Sequence, residues 1–236
     1  MLLVHSSFRA VRPVEGGPEG LIAALSEALG PDGTLVMPGW GDGRAAFDPV
    51  RTPVASSLGI VPATFAALPG VLRSDHVHAF LARGPRAAEI LRDPLPLPPH
   101  RRESPVGRVY DADGSVLLLG VNHDADTTVH LAELEAGAPY RVPKSCVVVR
   151  NGVPTTIAYG ENDHCCRRFV LVDDWVREVG TQREGLVGSA HARLVPSRDV
   201  VEAVVPRVRV DPLVFLCEPQ AGCVECDEAR ASVASS

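Results

Sequence analysis

Apolar positions along the chain follow two rhythms, one of strands and one of helices. Short apolar runs at Leu2-Leu-Val4, Thr34-Leu-Val-Met37 and Ser115 to Gly120 read as buried strands. Between the first two, Ile22, Leu25 and Leu29 share one helical face, predicting a helix from Pro18 to Leu29 with Gly30 as its stop. Pro62 sits where a helix running to about Ala67 begins, and Pro85 to Leu91 forms another short one. Ser74 to Ala82 reads as extended, and Gly39 to Pro53 as a loop rich in Gly and Pro. Asp93-Pro-Leu-Pro-Leu-Pro-Pro99 suits neither helix nor central strand and reads as a surface connection.

In the second half, Cys146 to Arg150 and Thr155 to Tyr159 flank Asn151-Gly152, a β-hairpin signal. Phe169, Val172, Trp175 and Val179 then recur at helical spacing, Ser197 is placed to cap a short helix, and Leu213 to Leu216 reads as a last strand before a short tail. Early strand–helix alternation with a late hairpin predicts one α/β domain over residues 1–236, a mixed β-sheet flanked by helices.

Charge and cysteine content narrow the partners. A formal charge of −6 argues against nucleic acid and anionic membranes and allows cationic small molecules to be drawn in. The first residues carry no targeting signal and no apolar run spans a membrane, so a cytoplasmic protein is expected. In that compartment six cysteines are thiols or metal ligands rather than bridges. Cys223-x-x-Cys226 and His164-Cys165-Cys166 supply enough donors for a tetrahedral structural zinc, and the favoured set is His164, Cys166, Cys223 and Cys226. Free thiols or a redox pair are the alternatives.

Several hydrolytic chemistries fail on spacing. There is no His-Glu-x-x-His, His76-Val-His78 continues with Phe80 and Leu81 where a binuclear site needs ligands, Ser189 lacks a nucleophile elbow, and no P-loop is present. The segment from Leu117 to Glu133 is more telling. It passes from a strand through Asp124, Asp126, Thr127 and Thr128 and delivers His130 into the first turn of a helix. A helix start carries roughly half a positive charge and favours the neutral ring, so His130 reads as a general base. Glu133, three residues on, is placed either to orient the ring or as a helix-surface carboxylate. His5, Ser6 and Ser7 end the first strand, where open α/β sheets bind ligands. Asp163 is a candidate N-cap for the following helix.

Leu2-Leu-Val-His-Ser-Ser-Phe8, Gly33-Thr-Leu-Val-Met-Pro38, Leu68 to His76, Ser104-Pro-Val-Gly-Arg108 and Leu117 to Glu133, in this order, resemble the aminoglycoside 3-N-acetyltransferases. Glu161 to Cys166 and Gly222 to Asp227 look most like the subgroup acting on apramycin. That family is unrelated in fold to GCN5-type acetyltransferases, whose signature is missed where Gln182-Arg-Glu-Gly185 continues to Val187. Two departures stand out: His76 is followed by Val77 where the family has proline, and the family's lead-in helix has no counterpart before Leu2.

The resemblance implies direct acetyl transfer from acetyl-CoA to the 3-amino group of a 2-deoxystreptamine sugar, with His130 and Glu161 as the catalytic pair and Glu161 holding the ring's tautomer. A carboxylate beside the reacting amine would hold it protonated, so Asp163 and Asp42 are expected to face the other ammonium groups and act by attraction, with His76 a further substrate-binding candidate. Ser6, Ser7 and Thr127 would meet the pantetheine arm or the thioester oxygen. A zinc-stabilised binding module without turnover is the rival reading, a metallohydrolase a weaker one, and a homodimer stays open.

Overall fold

The computed structural model describes residues 1–92 and 98–234. Most of the proline-rich Asp93 to Pro99 connection lies outside the described residues. The elements in chain order are β1 (Leu2–Ser6), α1 (Phe8–Val11), α2 (Gly17–Leu29), β2 (Leu35–Pro38), α3 (Ile60–Ala67), β3 (Leu72–Arg73), β4 (Phe80–Arg83), α4 (Ala87–Leu91), α5 (Pro105–Asp111), β5 (Ser115–Leu119), α6 (Thr127–Ala136), β6 (Val142–Arg150), β7 (Val153–Glu161), α7 (Leu171–Val179), β8 (Arg183–Val187), β9 (Ala190–Pro196), α8 (Ser197–Val210) and α9 (Val224–Ala234).

A seven-stranded sheet runs in the order β3-β4-β2-β1-β5-β9-β8, with β2, β1 and β5 parallel and the outer strands antiparallel. This is the expected mixed sheet. Alternate residues of its strands feed two cores, because successive side chains point to opposite faces. Leu3, Val36, Val116 and Leu118 pack with residues of α5, α6 and α8, whereas Val4, Leu35 and Met37 pack with Leu21, Ile22, Val61 and Phe65 of α2 and α3. The central strand β1 connects to β2 on one side while β5 flanks it on the other. The C-terminal ends of these parallel strands therefore open a crevice at a switch in strand order, where α/β sheets bind ligands.

The β6–β7 hairpin turns at Asn151 and Gly152, both with positive φ (51° and 77°), and its strands are longer than the hydrophobic pattern suggests. Its last residue is Glu161.

Four expectations need correction. Leu213 to Leu216 is a turn, because the Asp211 side chain accepts the Leu213 N–H at 3.1 Å while the Val214 N–H bonds the Asp211 carbonyl. The tail is a helix, α9. Ser197 does not cap α8: Pro196 occupies the N-cap, and the helix runs through Pro206 because Val200, Val201, Val204 and Val208 bury against the sheet. Asp163 caps nothing, since its carboxylate pairs with Lys144 and α7 starts eight residues later.

Candidate active site

The crevice at the strand ends is a cleft of about 360 Å³. Val4, His5 and Ser6 of β1, Pro38 at the end of β2 with Trp40 beyond it, and Val121 after β5 line it, with Asp124, Asp126, Thr127, His130 and Cys166 closing one side. Asp126 starts α6: its buried carboxylate accepts the Thr128 N–H at 2.9 Å and a bond from His123 Nδ1 at 3.0 Å. Gly137, at φ 81°, ends the helix. With both ends fixed, the fourth residue, His130, faces the cleft.

His130 Nδ1 lies 2.8 Å from Glu133 Oε2, and Nε2 lies 3.5 Å from Cys166 Sγ. Its ring stacks on His100, centroids 5.2 Å apart at 14°, and meets Phe169 edge-on. Glu133 is fully buried and also accepts from His164 Nε2 at 2.9 Å and from the Tyr140 hydroxyl. It is therefore an internal carboxylate with three donors rather than a surface one, and it takes the orienting place expected of Glu161. Burial opposes its ionisation, but the bonds from His130 and His164 win and hold it near pKa 2, against an ordinary 4.5.

The ring's own neighbours favour the protonated form of His130, against the neutral form expected from the helix start. Burial lowers its pKa, but Cys166 beside Nε2 and Glu133 on Nδ1 hold it well above the ordinary 6.5. The positive helix end acts in the opposite sense and weakens across the first turn, at whose end His130 sits.

Glu161 bonds to His78 instead, Oε1 to Nε2 at 3.1 Å. His78 meets His100 edge-on at 5.2 Å and His100 stacks on His130, so two rings lie along the contacts from Glu161 to His130, whose charge also acts on the Glu161 carboxylate. His100 Nε2 is buried with no hydrogen-bond partner among the described residues. His76 is buried at the base of this ladder, its Nδ1 accepting the His78 N–H at 2.9 Å. Ser6 and Thr127 line the cleft as expected, Thr127 Oγ1 lying 3.3 Å from His5 Nε2. Ser7 does not line it, and its amide is spent on the Leu119 carbonyl at 2.9 Å. Asp42 is exposed, 3.5 Å from Arg44 and away from the cleft. Asp163 is held by Lys144.

Burial lowers His5 to a pKa of about 4. The unfolded chain binds a proton there near 6.5 that the folded chain refuses, so folding free energy is expected to fall as pH drops from 6.5 to about 4. The His5 contribution is up to about 3 kcal/mol. Urea titrations across this range should show a flatter limb for His5→Gln than for the wild type.

The expected metal set is also rearranged. His164 is spent on Glu133 and Cys166 faces His130, whereas Cys165, Cys217, Cys223 and Cys226 converge. Adjacent cysteines do point apart, but Cys165 is the one that joins the pair from Cys223-x-x-Cys226. Cys217 enters from the turn after α8, which has no Cys-x-x-Cys spacing to announce it.

Residues 3–209 match the family model described as aminoglycoside 3-N-acetyltransferase. Over 223 residues the chain is 56% identical to aminoglycoside N(3)-acetyltransferase IV from Salmonella sp, covering 94% of this chain and 85% of that protein. The crystal structure of aminoglycoside acetyltransferase AAC(3)-IVa as apoenzyme superposes with a TM-score of 0.94 at 57% identity, over 98% of this chain and 90% of that one. A histidine-to-alanine variant of AAC(3)-IVa in complex with apramycin gives 0.88 at 54% identity, over 95% and 90%.

Proposed function

Because the chain belongs to the aminoglycoside 3-N-acetyltransferase family, we propose that it transfers acetyl from acetyl-CoA to the 3-amino group of 2-deoxystreptamine aminoglycosides, with His130 as general base. The observation that carries this is the polarised ring in the cleft: Nδ1 is tied to the buried Glu133 while Nε2, among the described residues, hydrogen-bonds only the Cys166 thiol. A sugar ammonium cannot attack a thioester until it loses a proton. The ammonium first gives one proton to water; neutral His130 then accepts on Nε2 a second proton from the free amine as the nitrogen bonds to the carbonyl carbon and the C–S bond breaks, and Glu133 stabilises the imidazolium. The proton then leaves with the departing CoA sulfur. Ser6, Thr127 and the amides opening α6 are placed to receive the thioester oxygen.

Glu161, through His78 and His100, is a positioning residue rather than the ring's direct partner. No helix among the described residues is long and apolar enough to cross a membrane, and a cytoplasmic setting fits acetyl-CoA supply. Zinc belongs to this reading as a structural ion that touches neither amine nor thioester.

Asp124 is exposed at the cleft rim, where it attracts the remaining ammonium groups. Asp124→Asn is expected to raise the aminoglycoside KM several-fold with kcat nearly unchanged, and added salt should shrink the difference. Initial rates at low and high salt check this.

One observation favours a second reading. Cys166 Sγ, 3.5 Å from Nε2 and lining the cleft, has the position of a nucleophile that would take the acetyl group before the amine does. Direct transfer needs no such intermediate. It predicts intersecting initial-velocity lines and activity in Cys166→Ala, whereas parallel lines and an inactive variant would establish the acyl-enzyme route. The overall reading is tested by incubating the protein with acetyl-CoA and an aminoglycoside panel, following free thiol and locating the acetylated nitrogen. Thiol release independent of aminoglycoside, or acetylation elsewhere than the 3-amino group, would overturn it.

A further inference from the structure

We infer that Cys165, Cys217, Cys223 and Cys226 form a closed tetrathiolate site for zinc, outside the cleft, that ties the loop supporting His130 to the C-terminal helix. All four sulfurs lie within 4.8 Å of one another. Cys165 Sγ is 3.4 Å from Cys217 Sγ and 3.6 Å from Cys226 Sγ. A tetrahedron with zinc–sulfur bonds of about 2.3 Å has edges of about 3.8 Å, so a small contraction or expansion of these distances admits the ion. None of the four is disulfide-bonded, and Cys165 has two near sulfur neighbours where a bridge would need one, at about 2.05 Å.

The backbone supports ligation. The Cys217 N–H donates to Cys226 Sγ at 3.3 Å, a bond that steadies negative charge on a ligating sulfur. Cys223 precedes α9 and Cys226 lies in its first turn, so the two can grip one ion from a single short segment.

Packing gives an independent reason. Only Cys226 and Ala229 are buried on α9, while Val224 is exposed, so this helix has little apolar surface with which to hold its place. A metal crosslink from Cys226 to Cys165 would supply what the apolar contacts do not. Four protein ligands leave no open position, so the ion is structural.

The loop it pins is the one that supports the base. Cys166 follows Cys165 in a left-handed conformation, φ 57°, and points at His130, and His164 on the other side bonds Glu133. This consequence rests on the proposed function. The metal site itself does not, because its stoichiometry and spectrum need no turnover.

The test uses the full chain purified without chelator under reducing conditions. Metal analysis is expected to find one zinc per chain, and exchange with Co(II) to produce the thiolate charge-transfer and d–d bands of a tetrahedral four-sulfur site. Cys223→Ser with Cys226→Ser should lose the ion, and Cys146→Ser, altering a cysteine on β6 outside the cluster, should keep it. If the double variant does not fold, the Co(II) spectrum of the unaltered chain still decides. A reduced chain that takes up neither Zn(II) nor Co(II) in equimolar amount, or a Co(II) spectrum without four-sulfur bands, would overturn the site. Full activity after complete removal of the ion would overturn its positioning role.

Discussion

His130→Ala is expected to lower kcat by about 10²–10⁴-fold, the range over which a positioned general base contributes. The aminoglycoside KM should change little, because the proton moves in the transition state and the ring adds little to ground-state binding. The fold should survive, because Glu133 keeps His164 and Tyr140 when the His130 bond is lost. Steady-state kinetics beside urea unfolding measure both halves of this expectation. A folded His130→Ala enzyme within about tenfold of wild-type kcat would place the base elsewhere, because water alone does not replace an oriented imidazole that well.

Glu133→Ala is expected to destabilise the protein by about 3–5 kcal/mol, the cost of stripping one partner from a buried charge-bearing network. Three groups lose their acceptor together: His130 Nδ1, His164 Nε2 and the Tyr140 hydroxyl. Urea titration at neutral pH measures the loss, and a change below about 1 kcal/mol would show that water reaches the site and replaces the carboxylate. The pH dependence has a definite sign. The Glu133 pKa is depressed on folding from 4.5 to about 2, so its contribution is present above 4.5 and is lost as pH falls toward 2. In the wild type this loss adds to the His5 effect at higher pH, and Glu133→Ala should remove only the lower limb.

What was legible in the sequence is mostly local. Asn151-Gly152 marks its turn because only residues tolerant of positive φ fit there, and both adopt it. The runs at Leu2, Leu35 and Ser115 form parallel neighbours because unbroken apolar sequence suits strands covered on both faces. The family resemblance was readable because its segments agree in order along the whole chain. The β8–β9 hairpin was missed because β8 is exposed along its full length and carries Arg183 and Glu184, leaving little hydrophobic pattern to find. Its Gly188-Ser189 turn, beside the alternation of Ala190, Ala192 and Leu194, was the available signal.

At the site, the position of His130 at the cleft was legible because a polar loop entering a helix is a local pattern. The burial and full bonding of Glu133 were not. Its burial depends on Tyr140 and His164, which come from 7 and 31 residues away, and neither bond can be read from helical spacing. Glu161 was assigned by resemblance, and its partner His78 sits on a different segment of the chain. The choice of Cys166 over Cys165 likewise turned on a left-handed residue that directs one thiol to the cleft and leaves the other with the cluster.

The central claim is that His130, held by Glu133, takes the amine proton, and the pH dependence of kcat/KM tests it most directly. The base works only when deprotonated, so for the wild type activity is expected to rise with pH along a limb centred above 6.5. Glu133→Gln removes the carboxylate that favours the imidazolium and should move that limb to lower pH while reducing its plateau. Glu161→Gln should lower the plateau and leave the limb in place, the amine's own titration being common to all three enzymes. A limb unmoved in Glu133→Gln but displaced in Glu161→Gln would contradict the assignment.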